Sequence, residues 1–246
     1  MKYFIITGAS KGLGNAIIDQ LILDSNNTIF GISRSSSEKH LSKGAKYFNV
    51  DLGKPNEVIG TITNILDSIE KSEGDEFYLI NNAGVINPIK TIENTDMNDL
   101  ITNINVNLTS LMILTSEFIK SLEKIKGKKR IINISSGAAK RPVYGWNVYC
   151  STKAGVDIFT QTVALEQNAK EFPVHLVSLA PGIMDTEMQE KIRSADKEDF
   201  RDLKEFVGFK EKGKLMQAEA VAVGVLRLLL GDEFINGDVT RVESYL

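Results

Sequence analysis

Three side chains in the middle of the chain have the types and spacing for proton transfer to a carbonyl oxygen. Ser136 closes the run Ile131-Ile132-Asn133-Ile134-Ser135-Ser136, and Tyr149 and Lys153 follow in Tyr149-Cys150-Ser151-Thr152-Lys153. On a helix, residues four apart share one face, with about 5–6 Å between their Cβ atoms. An ammonium at that range favours the phenolate and is expected to draw the tyrosine pKa below its usual value of about 10. A tyrosine so placed can pass a proton to a carbonyl oxygen near neutral pH, as reversible carbonyl reduction requires. Any solvated helix face also produces such a pair by chance, so its meaning depends on the rest of the chain.

The N-terminus supplies that context. Lys2 to Thr7 is a short apolar run of β-branched and aromatic residues and reads as a buried strand. It leads into Gly8-Ala9-Ser10-Lys11-Gly12-Leu13-Gly14 and then a helical stretch with Ala16, Ile17, Leu21 and Ile22 as its apolar positions. Strand, glycine-rich turn and helix together form a dinucleotide-binding context. The glycines let the backbone approach a pyrophosphate, whose charge then rests on the helix N-terminus. The spacing is G-x-x-x-G-x-G, not the commoner G-x-G-x-x-G.

These two segments are placed by an alternation of strands and helices with no linker. Strands are expected at 2–7, 28–33, 46–50, 76–81, 129–135, 174–180 and 238–243. Helices are expected near 12–24, 55–71, 97–125, 148–170 and 217–231. Such alternation predicts parallel strands with helices on both faces, and ligands beyond the carboxyl ends of the strands. The expected fold is therefore α/β, a Rossmann-type three-layer α/β/α sandwich on a central, mostly seven-stranded parallel sheet. One domain is expected to fill residues 1–246.

Composition narrows the function classes. A hydrophobic share of 42% and a charged share of 25% are ordinary for a globular protein. The net charge of −3 gives no electrostatic reason to expect nucleic acid as a partner. The single cysteine, Cys150, allows no internal disulfide and fits a reducing compartment. No apolar stretch approaches the roughly 20 residues of a membrane span, and no signal-peptide pattern precedes the first strand. A cytoplasmic protein acting on a small molecule, without a metal, is the expectation.

Further motifs occur in order: Asp51-Leu52 after the third strand, Asn81-Asn82-Ala83-Gly84 after the fourth, Asn107 in Asn105-Val106-Asn107-Leu108, and Pro181-Gly182-Ile183-Met184-Asp185-Thr186 after the sixth. With the glycine turn and Ser136, Tyr149 and Lys153, the chain resembles the short-chain dehydrogenase/reductase family along essentially its whole length. The resemblance implies that Tyr149 is the general acid in reduction, that Lys153 lowers its pKa and holds the nicotinamide ribose, and that Ser136 holds the substrate carbonyl. Ser135 competes for that last place; the spacing of thirteen residues to Tyr149 favours Ser136. By the same resemblance Asn107 holds a water that relays protons from Lys153. Asp51 and Leu52 border the adenine, and Thr186 binds the carboxamide. Gly8, Ser10, Lys11, Gly12, Leu13, Gly14, Asn82, Ala83, Gly84, Pro181, Gly182 and Ile183 complete the cofactor groove. Family members commonly pair through the two long helices expected at 97–125 and 148–170, so a homodimer is expected, with Leu108, Leu111, Met112, Phe118, Ile158, Phe159 and Leu165 as candidate contacts.

The end of the second strand selects the cofactor. NAD enzymes of this fold hold the ribose 2′-hydroxyl with an acid about 20 residues past the glycines. Here Ser33-Arg34 stands there without an acid, and Lys11 lies within the glycine turn. Arginine grips a phosphate through paired charge-assisted hydrogen bonds, so NADPH/NADP+ is expected.

For the substrate, the segments 145–150, 180–189 and 211–215 are similar to the sepiapterin reductase branch and, more closely, to bacterial members that reduce benzil to (S)-benzoin. This implies an aromatic or vicinal diketone as substrate and a lid over about 186–215. Trp146 and Met184, together with Val143, Tyr144, Phe206 and Phe209, are expected to line an apolar pocket beside Ser136 and Tyr149, although Trp146 and the phenylalanines equally suit core packing. Two alternatives stay open: a pterin reductase, and more remotely a non-catalytic NADP-binding regulatory protein. The pterin reading needs an acid near the C-terminus. Glu243 is one residue away from the expected place, Ser244, and on a strand that shift turns it to the other face.

Overall fold

The computed structural model describes all 246 residues. Seven strands form one sheet: β1 (Lys2–Thr7), β2 (Asn27–Ser33), β3 (Lys46–Asn49), β4 (Glu76–Asn81), β5 (Lys129–Ile134), β6 (His175–Ala180) and β7 (Val239–Arg241). The order is β3-β2-β1-β4-β5-β6-β7 and every neighbouring pair is parallel. The helices are α1 (Gly12–Leu21), α2 (Glu38–Leu41), α3 (Pro55–Asp67), α4 (Met97–Ile104), α5 (Ser110–Leu122), α6 (Asn147–Gln167), α7 (Glu187–Arg193), α8 (Leu203–Glu211) and α9 (Ala218–Leu230). The expected Rossmann-type sandwich is what the chain forms. The short α2 and the exact extent of β7 were not legible.

Side-chain alternation divides the core between the two faces of the sheet. Phe4 and Ile6 of β1, Tyr78 and Ile80 of β4 and Ile132 of β5 pack with α1 and α9. Their neighbours Ile5, Phe77, Leu79 and Ile131 pack with α3 and α5 on the other face. Phe4 stacks on Tyr78 across the β1–β4 seam, with ring centroids 4.7 Å apart. That seam is where the strand order reverses, the place where such sheets open a crevice for ligands.

Two departures from the expected elements matter at the site. The helix expected at 97–125 is interrupted by a π-helical turn over Asn105–Thr109, between α4 and α5. At the other end of the sheet, β7 stops at Arg241 and the chain enters a 3₁₀ turn over Val242–Tyr245. Glu243 therefore lies on a turn, and the face-alternation argument applied to it as a strand residue does not hold.

Candidate active site

The glycine turn sits at the carboxyl end of β1. Gly8 and Gly12 have φ of 66° and 55°, the left-handed region that side chains rarely adopt. At Gly14 the need is close packing, since a Cβ there would lie 2.3 Å from the carbonyl oxygen of Gly8. The turn is laced to β4: the Asn82 and Ala83 amides donate to Thr7 Oγ1 at 2.9 and 3.0 Å, and Asn82 Nδ2 donates to Thr7 O at 2.9 Å. A buttress that sequence reasoning missed lies beneath it. Tyr47 Oη donates to Ala9 O (3.2 Å) and meets His40 Nδ1 (2.7 Å), while His40 Nε2 meets Asp19 Oδ1 (3.0 Å). Gly31 makes room for this, because a Cβ there would come within 2.9 Å of the Tyr47 ring.

The first turn of α1 has no side-chain cap, so its N–H groups are free for an anion. The conformation of the turn and these free donors fit a dinucleotide phosphate. Arg34, at the end of β2, is exposed and forms no ion pair. Ser33 is buried and its hydroxyl donates to Ser35 O. Lys11 pairs with Glu187 at the start of α7, so the glycine turn and α7 are joined by an ion pair between exposed groups. Thr186 stands beside the turn, its Cγ2 3.7 Å from where a Cβ on Gly12 would lie. Asp51 Oδ1 accepts from the Gly53 amide (2.9 Å), and Leu52 is buried against α3 and α5.

Tyr149 and Lys153 are buried on one face of α6, with Lys153 Nζ 5.8 Å from the Tyr149 ring centroid. Lys153 Nζ donates to Ile134 O at 2.8 Å, and a Cβ on Gly84 would lie 3.6 Å from it. Burial pushes the Tyr149 phenol up to about 12, and the Ser136 hydroxyl only partly opposes this. Burial also lowers Lys153 to about 8, with Asp157 one turn further along opposing it. The expected downward pull of Lys153 on the tyrosine is not what shapes its pKa: removal from water is the largest influence, and the Ser136 hydroxyl is what opposes it.

Ser136 Oγ accepts from the Ala138 amide at 3.1 Å and faces the same cavity as Tyr149. Ser135 Oγ turns to Lys153 O (3.4 Å), which leaves Ser136 as the freer hydroxyl. Asn107, in the π-turn, has both ends of its amide hydrogen-bonded. Oδ1 accepts from the Val85 amide (2.8 Å), and Nδ2 donates to Val85 O (2.9 Å) and Asn103 Oδ1 (2.7 Å). Its side chain therefore anchors the 85–107 contact. Cys150 is half-buried with Sγ toward Arg141 O.

A cavity of about 570 Å³ opens in front of Ser136 and Tyr149. Of the residues expected in the substrate pocket, Trp146, Val143, Met184 and Phe206 line it, together with Pro181, Gly182, Ile183 and Thr186, which were expected at the cofactor. Trp146 also stacks on Phe200 (centroids 5.0 Å apart) and meets the edge of Phe206. Tyr144 does not line the cavity; it is exposed under the Arg201 guanidinium, 3.9 Å from its ring centroid. Phe209 backs Phe206 from behind. Lining residues that sequence reasoning missed include Ile86, Lys140, Arg141, Met188, Gln189, Ile192 and Arg241. Glu243 is absent from the wall. Its carboxylate lies against Gly182 and pairs with Arg241 at 3.1 Å.

A nucleotide cleft at the sheet switch point, a buried Tyr-Lys pair and an apolar cavity between them define a nicotinamide-dependent oxidoreductase. Residues 2–197 match the short chain dehydrogenase family, and the chain belongs to it. It is 45% identical to the benzil reductase ((S)-benzoin forming) of Bacillus cereus, over 99% of this chain and all of that one. It is 39% identical to the Bacillus subtilis benzil reductase over the whole of both chains. Among solved structures, the KRED1-Pglu enzyme superposes with a TM-score of 0.84 at 27% identity, covering 97% of this chain and all of that one. The chain is thus an oxidoreductase acting on carbonyl and alcohol groups of small molecules.

Proposed function

We propose that the chain is an NADPH-dependent carbonyl reductase for a small aromatic or vicinal diketone, reducing benzil to (S)-benzoin. The observation that carries this reading is the placement of Ser136 and Tyr149 in a cavity walled largely by apolar and aromatic side chains, with Lys140, Arg141 and Arg241 but no carboxylate in its lining. The likeness to two benzil reductases supports it. NADPH bound along the glycine turn supplies the hydride. Ser136 holds the carbonyl oxygen, and Tyr149, a phenol at neutral pH, gives that oxygen its proton. Lys153, charged below about 8, stabilises the phenolate left behind.

The choice of NADPH rests on Arg34, exposed and unpaired where an NAD enzyme of this fold carries an acid. The pterin alternative is disfavoured by Glu243, which does not line the cavity and is tied to Arg241, which does. Assembly as a homodimer through α5 and α6 is supported by Ile158 and Leu165, 62% and 73% exposed on α6, whereas Leu111 and Phe118 are buried within the subunit. No helix is long and apolar enough to cross a membrane, and a cytoplasmic site of action belongs to the same proposal.

The test is to incubate the purified chain with NADPH and either benzil or sepiapterin, and to resolve the products on a chiral column. Faster conversion of benzil, to one benzoin enantiomer, is expected. Faster conversion of sepiapterin would overturn the reading.

A further inference from the structure

Beneath the glycine turn a single hydroxyl hydrogen stands between two acceptors. Tyr47 Oη, on β3, lies 3.2 Å from Ala9 O and 2.7 Å from His40 Nδ1. On the far side of the ring, His40 Nε2 lies 3.0 Å from Asp19 Oδ1 of α1. His40 is fully buried, and a buried imidazole is unfavourable unless its nitrogens are paired. Gly31 leaves the space for this arrangement, since a Cβ there would lie 2.9 Å from both Ala9 Cβ and the Tyr47 ring. Side chains from α1, α2 and β3 thus converge on one carbonyl of the turn.

Asp19 is also held by Lys39 of α2 at 2.5 Å and accepts from Asn15 Nδ2 at 3.1 Å. Burial works to raise its carboxyl, but the hydrogen bonds from Lys39 and His40 prevail and hold it below its usual value. An ionised carboxylate only accepts, so His40 Nε2 carries a proton. Tyr47 keeps its single phenolic hydrogen, because burial, and then the charge of Asp19, push the phenol up to about 12. A neutral His40 has a bare Nδ1, which takes that hydrogen over the shorter contact and leaves Ala9 O without a donor. An imidazolium instead donates from Nδ1 to the Tyr47 oxygen, and the phenol hydrogen goes to Ala9 O. The groups that face His40 are Asp19 from α1 and Tyr47 from β3, with Lys39 on its own helix reaching it only through Asp19.

The bond to Ala9 O acts on the next residue of the turn. The Ala9–Ser10 peptide is trans, so a carbonyl drawn toward Tyr47 turns the Ser10 N–H the opposite way. That N–H donates to nothing in the protein, and it stands among the donors a turn of this kind offers to a phosphate. We propose that Tyr47 and His40 are positioning residues for the dinucleotide: protonation of His40 closes the Tyr47–Ala9 bond, sets the Ser10 peptide and tightens the binding of NADP+ and NADPH. This rests on the reading of the turn as a dinucleotide site and is independent of which carbonyl compound is reduced.

The test is calorimetric titration of NADP+ into the purified parent and Tyr47→Phe, at about pH 5.5 and about pH 8.5, either side of the ordinary histidine range. The 2′-phosphate titrates at about 6 with both proteins, so its effect cancels in their ratio. The variant should bind about two- to tenfold more weakly than the parent at the lower pH, as one hydrogen bond implies, and equally at the higher. Equal binding at both pH values overturns the proposal, and so does a deficit of the same size at both, which would make Tyr47 a structural residue only. A parent that binds no NADP+ fails the dinucleotide reading, and the proposal with it. A second measurement needs no change in these residues, and so decides even if Tyr47→Phe does not fold. The chain has two histidines, so His175→Gln assigns the ring ¹⁵N signals of His40. Both ring nitrogens should carry protons at about pH 5.5, and Nε2 alone at about pH 8.5. A neutral ring protonated on Nδ1, or a ring in the same state at both pH values, overturns the proposal.

Discussion

Lys153 Nζ stands 5.8 Å from the ring centroid of Tyr149 and donates to the carbonyl of Ile134 at 2.8 Å, both side chains being buried on α6. Burial acts on the two in opposite directions, raising the phenol to about 12 and lowering the ammonium to about 8. The phenol therefore stays protonated throughout the physiological range, and Lys153 is the group of the pair that titrates near it.

This separation sets the pH profile of reduction. Lys153 is charged below about 8 and loses its proton as pH rises through that value. The kcat/KM for reduction should be level through neutral pH and fall above about 8. A profile that stays level to the ordinary lysine value of about 10.4 would show that Lys153 is not the titrating group. The same shift has a stability signature. Between about 8 and 10.4 the unfolded chain holds a proton that the folded chain has released, so Lys153 makes stability rise with pH there. Lys153→Met should remove that part of the slope, read as the difference between parent and variant melting temperatures across the window.

Cofactor preference should follow Arg34. Replacing it by Asp removes the exposed guanidinium and places a carboxylate against the 2′-phosphate. The ratio of kcat/KM with NADPH to that with NADH should fall by about tenfold or more. An unchanged ratio would move the determinant elsewhere.

The ion pair between Lys11 and Glu187 joins the glycine turn to α7. Both groups are exposed, so Glu187→Gln should leave the melting temperature unchanged. Freed from its partner, Lys11 becomes available to the phosphates, and the KM for NADPH should fall by a factor of about 2–5, the range of one exposed ion pair. A rise in KM would instead mean that the pair is kept in the NADPH-bound form.

Much of this arrangement was legible because a parallel sheet covered on both faces needs continuous apolar strands. Runs such as Phe4-Ile5-Ile6 and Phe77-Tyr78-Leu79-Ile80 leave little room for another reading. The glycine turn was legible because its backbone cannot be built otherwise. The tyrosine pKa was not, since sequence spacing reports a charged neighbour but not the loss of water around it. Glu243 misled because one residue decides where β7 ends. Gln189 was missed for a different reason: in a charge-dense segment an amide looks like surface until the lid is folded. Trp146 could be placed by type, but only the packed lid shows that one ring serves both cavity and core.

The central claim is that Tyr149 supplies the proton that completes reduction of an aryl diketone. The most direct measurement is single-turnover reduction of benzil by NADPH-loaded parent and Tyr149→Phe, followed by loss of NADPH absorbance, with NADPH affinity determined separately. The rate should fall by about 10²–10⁴ while NADPH affinity stays within a factor of about two. A variant that reduces benzil within a few-fold of the parent rate would contradict the account.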